Sequence, residues 1–341
     1  MSKKAFGTTS KGVEASLYEI SNAGGLRVLL TDYGATVVSI FVKDRDGNER
    51  DVILGYDDVK SYEKEYSYFG ATVGRYANRI SDAKINIDGV EYKLEANDNE
   101  NNLHSGSNGV SKRFWTVKEQ KDDEITFEIE DADLEQGFPG NAVIDVTFKV
   151  TGENALAITY NAKADKTTTF NMTNHSYFNL NGGGTAMEHT LTLAAETYLE
   201  TSPGCLPTGR ALPVAGTPFD FRTAKPVGRD IDAPAEQLRL VNGYDHHFCV
   251  NGGGLRQAAV LRGDRSGITM TLDTTSPGVQ LYTANWLSRR NGKGGAVYEP
   301  RCAVCLEPQF PPDAVHHPAF PQPLLRKGEV YRHCTIYTFS K

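Results

Sequence analysis

Short segments rich in β-branched and aromatic residues, several alternating apolar with polar side chains, recur along this chain at 15–20, 26–31, 36–42, 84–87, 91–94, 125–129, 142–150, 156–160, 190–194, 268–272, 279–283 and 335–339. Alternation with period two belongs to strands, and these runs stop before a helix could form that would cover a parallel sheet. Turn residues separate them. Asp46-Gly47 joins the run ending at Val42 to a short strand at 51–54, and Asp88-Gly89 stands between two four-residue strands as a tight hairpin. Strands joined by so few residues pair antiparallel. Helical periodicity is weak, and 57–64 and 230–237 are the places where a helix of about two turns fits. The expectation is an all-β fold, a large antiparallel β-sandwich with two sheets packed face to face. A propeller would repeat itself every ~40–50 residues, and the sequence shows no such self-similarity.

Nothing in the sequence divides it. Glycine, proline and charge are spread along the chain without a Pro/Ser-rich linker or a charge block, so a single domain is expected over 1–341. A net charge of -7, with no Lys/Arg stripe among aromatics, lacks the basic footprint that nucleic-acid phosphates demand. The start has no apolar signal core and no stretch of 18 apolar residues occurs, which predicts a protein that needs no membrane and acts in the cytoplasm. Cys205, Cys249, Cys302, Cys305 and Cys334 are an odd set, expected to stay reduced. Cys302-Ala-Val-Cys305 has a redox or zinc spacing, but no second such motif accompanies it and it falls in a strand. The adjacent pairs His246-His247 and His316-His317 would diverge on an extended backbone, so neither a metal nor another cofactor is expected. Gly182-Gly183-Gly184 and Gly252-Gly253-Gly254 each follow an asparagine and read as loop tips, not phosphate cradles.

Polar and titratable groups concentrate in a few segments. Asn171-Met-Thr-Asn-His-Ser-Tyr-Phe-Asn-Leu180 surrounds His175 with amides, hydroxyls and a phenol. Such company suits an acid/base histidine held in orientation, or a site for sugar hydroxyls; a buried histidine satisfied by neighbouring amides is the plainer alternative. Glu307 follows 302–306, read as a buried strand with Ala303, Cys305 and Glu307 on one face and Pro308 as its stop. Burial would raise that carboxyl toward the working pH and make it a usable base, whereas a solvated strand-end glutamate would do nothing. Arg75 and Arg79, in Gly74-Arg-Tyr-Ala-Asn-Arg-Ile80, are each a surface charge or, with Asn78, a fork for hydroxyls. Trp286 and Phe310 are candidates for stacking on a sugar face, or for the core.

Read in order, Gly74-Arg-Tyr-Ala-Asn-Arg-Ile80, Asn102-Leu-His104, Thr173-Asn-His-Ser-Tyr-Phe-Asn-Leu180, Tyr244-Asp-His246, Thr275-Ser-Pro-Gly-Val-Gln-Leu-Tyr-Thr283, Leu306-Glu-Pro-Gln, Pro312-Asp-Ala-Val315 and Leu324-Leu-Arg-Lys-Gly-Glu-Val-Tyr331 resemble the galactose mutarotase (aldose 1-epimerase) family. The resemblance spans nearly the whole chain. It implies the large β-sandwich of that family, a free hexose such as galactose or glucose as the small-molecule partner, interconversion of its α and β anomers without metal or cofactor, and a monomer or homodimer. By resemblance Glu307 is the general base and His175 the general acid, with His104 assisting at the ring oxygen. Asn78, Arg79, Asp245 and Gln280 match the family's sugar-binding positions, and Tyr177 is added as a wall of the site. Opening a pyranose removes the C1 hydroxyl proton while another is delivered to O5, so one base and one acid suffice. Reference values of about 4.3 and 6.5 for the two groups imply a bell-shaped pH profile. Three rivals stand beside this reading. One is a glycoside hydrolase using Glu307 with Asp245 or Asp313. The others are a non-catalytic sugar-binding protein and a hexose-6-phosphate mutarotase, for which Arg75 and Arg79 are the only basic groups near the motifs.

Overall fold

The computed structural model describes residues 2–341. Its first five strands, Ser2–Thr8, Glu14–Ser21, Arg27–Thr31, Thr36–Lys43 and Glu49–Asp51, form an antiparallel meander. A nine-stranded sheet orders Thr116–Gln120, Glu124–Asp131, Ala142–Val150, Ala155–Ala164, Tyr331–Ser340, Thr269–Thr274, Arg256–Arg262, Thr190–Leu193 and Lys225–Pro226. A third sheet runs Tyr177–Phe178, Val304–Gln309, Gly278–Tyr282, Asp245–Val250, Ala195–Thr201 and Pro207–Pro213.

Alternation supplies the glue. In Ala142–Val150 every second residue is buried, and Ile144, Val146 and Phe148 face Ala162, Tyr160 and Ile158 of the next strand. These side chains join one core cluster with Tyr18 and Val28 of the meander and Leu281 and Leu306 of the six-stranded sheet. The three sheets therefore share an interior, and the molecule is the large antiparallel β-sandwich expected. Each buried aliphatic or aromatic side chain in it contributes roughly 1.5–3 kcal/mol.

The tight hairpin is present as read: Ile87 pairs with Val90, and Asp88 and Gly89 both take positive φ, 51° and 85°, the twist of a type I′ turn. The first helix is Val59–Lys64, capped by the Asp58 side chain, which accepts from the Ser61 N–H at 2.9 Å. The second lies later than the sequence suggests, at Glu236–Val241, because Pro234 interrupts 230–237 and helical geometry starts only beyond it. The 51–54 run stops at Asp51 as a strand and leaves one bridge, Ile53 to Phe178. Pro308 does not end its strand either. Val304–Gln309 continues through it, opposite Val279, while Tyr177–Phe178 on the other flank reaches only Val304 and Cys305, so the missing donor has no ladder to break there.

Arg75 is no surface charge. It is 1% exposed and donates from Nε to the Asp131 carboxylate at 2.5 Å, from Nη1 to the Pro139 carbonyl at 2.9 Å and from Nη2 to the Asp131, Ala132 and Gly140 carbonyls at 3.0, 3.2 and 2.8 Å. The 131–140 loop is thereby tied to the segment that carries Asn78 and Arg79.

Candidate active site

Four strands of the six-stranded sheet set out the platform. Asp245, Tyr282, Cys305 and Tyr177 lie directly opposite one another across four strands, and His247, Gln280 and Glu307 form the next row along. Residues two apart on a strand share a face, so both rows look the same way. His246 lies on the other face, packed on Phe219 at 4.7 Å in the core. Asp245–Val250 was not recognisable as a strand in the sequence because its inward positions carry Asp and His instead of apolar side chains.

The histidines come from opposite this platform. His175 follows the two-residue strand Thr173–Asn174, with its backbone N–H on the Ala71 carbonyl and its carbonyl accepting from Gly70, both at 3.0 Å. His104 follows Asn102–Leu103 in the left-handed region at φ 53°, with Ser105 at 67°, Asn78 at 67° and Tyr68 at 57°. Three of these, Tyr68, Asn78 and His104, line one cavity, a place where positioning outweighs backbone comfort.

The cavity encloses about 410 Å³ and is lined by Asn78, Arg79, His104, His175, Tyr177, Asp245 and Glu307 among others. Gln280 reaches it through Asp245, donating from Nε2 to Oδ1 at 2.7 Å. The structure thus gathers the residues that the resemblance assigned, Glu307, His175, His104, Asn78, Arg79, Asp245, Gln280 and Tyr177. Arg79 is steadied by Asp98, Nε to Oδ2 at 2.7 Å, leaving its terminal nitrogens for a ligand. The Asn78 N–H donates to His104 Nδ1 at 3.1 Å, so the neutral ring carries its proton on Nε2 and can donate from there. The His175 ring lies between two phenols, Tyr177 at 5.0 Å and 12° and Tyr68 at 6.1 Å and 17°, with His104 edge-on at 5.4 Å.

Glu307 is 2% exposed, and its Oε2 has no hydrogen-bond partner; the nearest base is His175 Nε2 at 3.6 Å. Burial pushes the carboxyl well above the usual carboxylate range, the Asp245 charge adds to that, and Arg79 opposes it. Burial lowers His175 to about 4 and holds His104 well below an ordinary imidazole, helped by the charges of His175 and Arg79. Asp245 is raised by burial against the pull of Arg79 and the Gln280 hydrogen bond. In the sugar-free site burial thus favours the protonated form of Glu307 and the neutral form of the His175 ring.

Other readings need correction. The amides flanking His175 do not face a ligand: Asn171 bonds the Ala77 carbonyl and the Phe310 backbone, Asn174 the Gly70 carbonyl, and Asn179 the Gly184 and Cys302 carbonyls. They stitch loops together. His316 and His317 do not diverge, because 314–316 is a tight helical turn that aims both at Asp313, at 2.6 and 3.7 Å. Asp313 is buried in that contact and in a bond from the Ser81 N–H, away from the cavity. Phe310 packs on the core and His333, whereas Trp286, 61% exposed, does line the cavity. Lys64 and Arg290 line it together with Arg79, whereas Arg75 does not reach it, so the basic groups near the motifs are not confined to the two read from the sequence.

Sequence reasoning missed Tyr68, Tyr282 and the Glu65–Arg290 pair. Tyr282 was within reach, two residues past Gln280 on the same strand; Tyr68 sits in a loop without periodicity. Glu65 accepts from Arg290 at 2.5 Å, from the Ser67 N–H at 2.6 Å and from the Tyr56 hydroxyl. Burial alone would raise it, but hydrogen bonds from Tyr56, Arg290 and Ser67 outweigh that and hold it at about 2. Folded below its unfolded value of about 4.3, this group contributes stability that is complete above that pH and is lost as acid approaches 2. The Tm advantage of the wild type over Glu65→Gln should be largest near neutral pH and shrink by pH ~3; an advantage that does not change with pH would contradict it.

A larger cavity of about 610 Å³, around Pro218, Arg222, Lys225 and Arg229, has its cations matched internally: Arg222 to Asp220 and Glu196, Lys225 and Arg229 to Asp230. Nothing there is left to act. Beneath the 410 Å³ cavity, His175, Cys305 and Glu307 each bring one potential ligand atom within 4.8 Å of the others.

Residues 16–338 match the sequence model of a family described as aldose 1-epimerase. The chain is 40% identical over 319 residues to the galactose mutarotase of Sus scrofa, covering 92% of this chain and 91% of that one. It is 37% identical over 328 residues to the aldose 1-epimerase of Escherichia coli (strain K12), covering 95% and 94%. Among solved structures it is similar to the GalM/aldose epimerase homologue from C. elegans, with a TM-score of 0.90, 33% identity, and 96% and 99% of the two chains covered.

Proposed function

This chain belongs to the aldose 1-epimerase family and is a mutarotase, and we propose that Glu307 and His175 are its proton-transfer pair, with His104, Asn78, Arg79, Asp245, Gln280 and Tyr177 holding the sugar. The observation that carries the reading is a buried carboxyl oxygen without a hydrogen-bond donor, 3.6 Å from an imidazole nitrogen, facing a polar cavity.

The productive form of the pair has Glu307 ionised and His175 protonated, one proton shared between the two groups. Glu307 then takes the proton of the C1 hydroxyl, His175 Nε2 gives its own to O5, the C1–O5 bond breaks and C1 becomes an aldehyde. The pair is then acid and neutral imidazole, the forms that burial favours for each. Rotation about C1–C2 turns the other aldehyde face inward, and the same transfers in reverse close the ring. His104 Nε2–H is a donor available to the ring oxygen or a neighbouring hydroxyl, while Tyr177 forms an apolar wall.

Both limbs of the pH profile belong to the pair rather than to either residue. On the acid side His175 takes a second proton, leaving no base, so kcat/KM should fall as pH drops through about 4. On the alkaline side Glu307 gives up the only proton and the acid is lost. Initial rates of optical rotation, corrected for spontaneous mutarotation, should show this; an acid limb near the ordinary imidazole value of ~6.5 would overturn the assignment.

The substrate we propose is a free hexose, galactose or glucose, and the site is complete within one chain, so monomer and homodimer serve equally. Freshly dissolved α-galactose and α-glucose should lose optical rotation faster with the protein present, and a galactoside should release no reducing sugar. Asp245 sits two strands from Glu307, about 10 Å across the sheet by strand spacing, and is engaged by Gln280, which suits hydroxyl binding better than hydrolysis. We place the protein in the cytoplasm on the strength of its five free thiols. One core cluster with members from Tyr18 to Phe339 supports a single domain.

A further inference from the structure

We propose that the floor of this cavity is also a seat for a thiophilic divalent cation of the zinc class, held by Cys305, Glu307 and His175, and that occupation blocks turnover in competition with the sugar; the inhibitory half rests on the function proposed above. Cys305 and Glu307 are two apart on Val304–Gln309 and so point to the same face, and His175 meets them from across the cavity. Their ligand atoms lie within 4.8 Å of one another. Bonds of ~2.0–2.3 Å to a tetrahedral zinc set neighbouring ligands roughly 3.3–3.8 Å apart, so a contraction of about 1 Å, within reach of side-chain rotation, completes three sides of the site.

Two observations favour a ligand there. Glu307 Oε2 has no hydrogen-bond partner, so a metal takes up that oxygen without breaking a bond, and the His175 Nε2 contact is loose at 3.6 Å. The donor set, one sulfur, one imidazole nitrogen and one carboxylate oxygen, suits a borderline cation; magnesium and calcium prefer several oxygens. The fourth position opens onto the space the sugar occupies, which makes binding exclusive. On coordination the Cys305 thiol forms a sulfur–metal bond and releases its proton to solvent, as does the Glu307 acid, with no oxidation or reduction. Cys305 itself does not line the cavity and has no part in the proton transfers.

Two measurements test this. Zinc should inhibit the polarimetric rate competitively with galactose, magnesium should not at the same concentration, and Cys305→Ser should raise the zinc concentration for half inhibition at least tenfold relative to its own zinc-free rate. Independently of any activity, cobalt(II) added to the sugar-free protein should give a sulfur-to-cobalt charge-transfer absorption that persists in Cys302→Ser and disappears in both Cys305→Ser and Cys305→Ala. Absence of that band in the wild type, or its persistence without Cys305, overturns the metal seat. If the band appears as expected while no sugar is turned over, the seat stands and the proposed activity fails. Zinc inhibition that galactose does not relieve overturns the competition.

Discussion

Glu307→Gln should lower kcat/KM for anomer exchange roughly 10³-fold, within the 10²–10⁴ that one general acid/base group supplies, while the dissociation constant for galactose changes little. The amide keeps the shape of the side chain and sits in the same buried row beside Gln280, so the fold has no reason to respond. What it lacks is an oxygen that can accept and return a proton. His175→Asn should lose a comparable factor. Alanine at that position would also leave a hole between Tyr68 and Tyr177, which mixes packing with chemistry. Because the two groups share one proton, removing both should cost little more than removing either. Polarimetry of the three variants with calorimetric galactose binding checks this; a Glu307→Gln enzyme within a few-fold of wild type would end the assignment.

Arg75→Ala should destabilise the protein by about 3–5 kcal/mol, the range for removing one partner of a buried ion pair. Arg75 leaves Asp131 and the carbonyls of Pro139, Ala132 and Gly140 behind it, all deprived of the donor they share. The nearby Arg113 also bonds Asp131 and keeps that carboxylate partly matched, which argues for the lower end of the range. Lysine is no remedy, since a single ammonium cannot span those acceptors as a planar fork does. Equilibrium unfolding in denaturant reads the loss directly, and a change below about 1 kcal/mol would show the network to be dispensable. At low temperature, where the variant stays folded, the sugar site should weaken too, because Asn78 and Arg79 follow closely on Arg75.

Six of the nine strands of the large sheet were legible because alternation and burial agree there, and Ala142–Val150 is found with its observed bounds, whereas Thr116–Gln120, Arg256–Arg262 and Lys225–Pro226 were not read. Pro207–Pro213 and Asp245–Val250 were not, one because prolines and glycine mark it as loop, the other because the site claims its inward positions. His175 and Glu307 stood out as titratable groups in unusual company, and the family likeness supplied their partners. The roles of Asn171, Asn174 and Asn179 were misjudged for a general reason. An amide near a functional histidine serves a ligand or a neighbouring loop with the same atoms, and only the crossing backbone decides which. Arg75 repeats the point, since it lies only four positions before Arg79 and yet its guanidinium faces the interior.

The two rows across the six-stranded sheet also constrain how such a chain can change length. Asp245, Gln280 and Glu307 come from strands far apart in sequence, yet they face the cavity together because each strand keeps the same odd-even count relative to its neighbours. The Gly252–Gly254 tip beyond one of those strands can grow or shrink without reaching that count. A single residue inserted within Gly278–Tyr282 would turn Gln280 and Tyr282 to the far side and bring their apolar neighbours into the sugar's place. Length variation among related chains is accordingly expected in the loops, and in the paired segments only by twos.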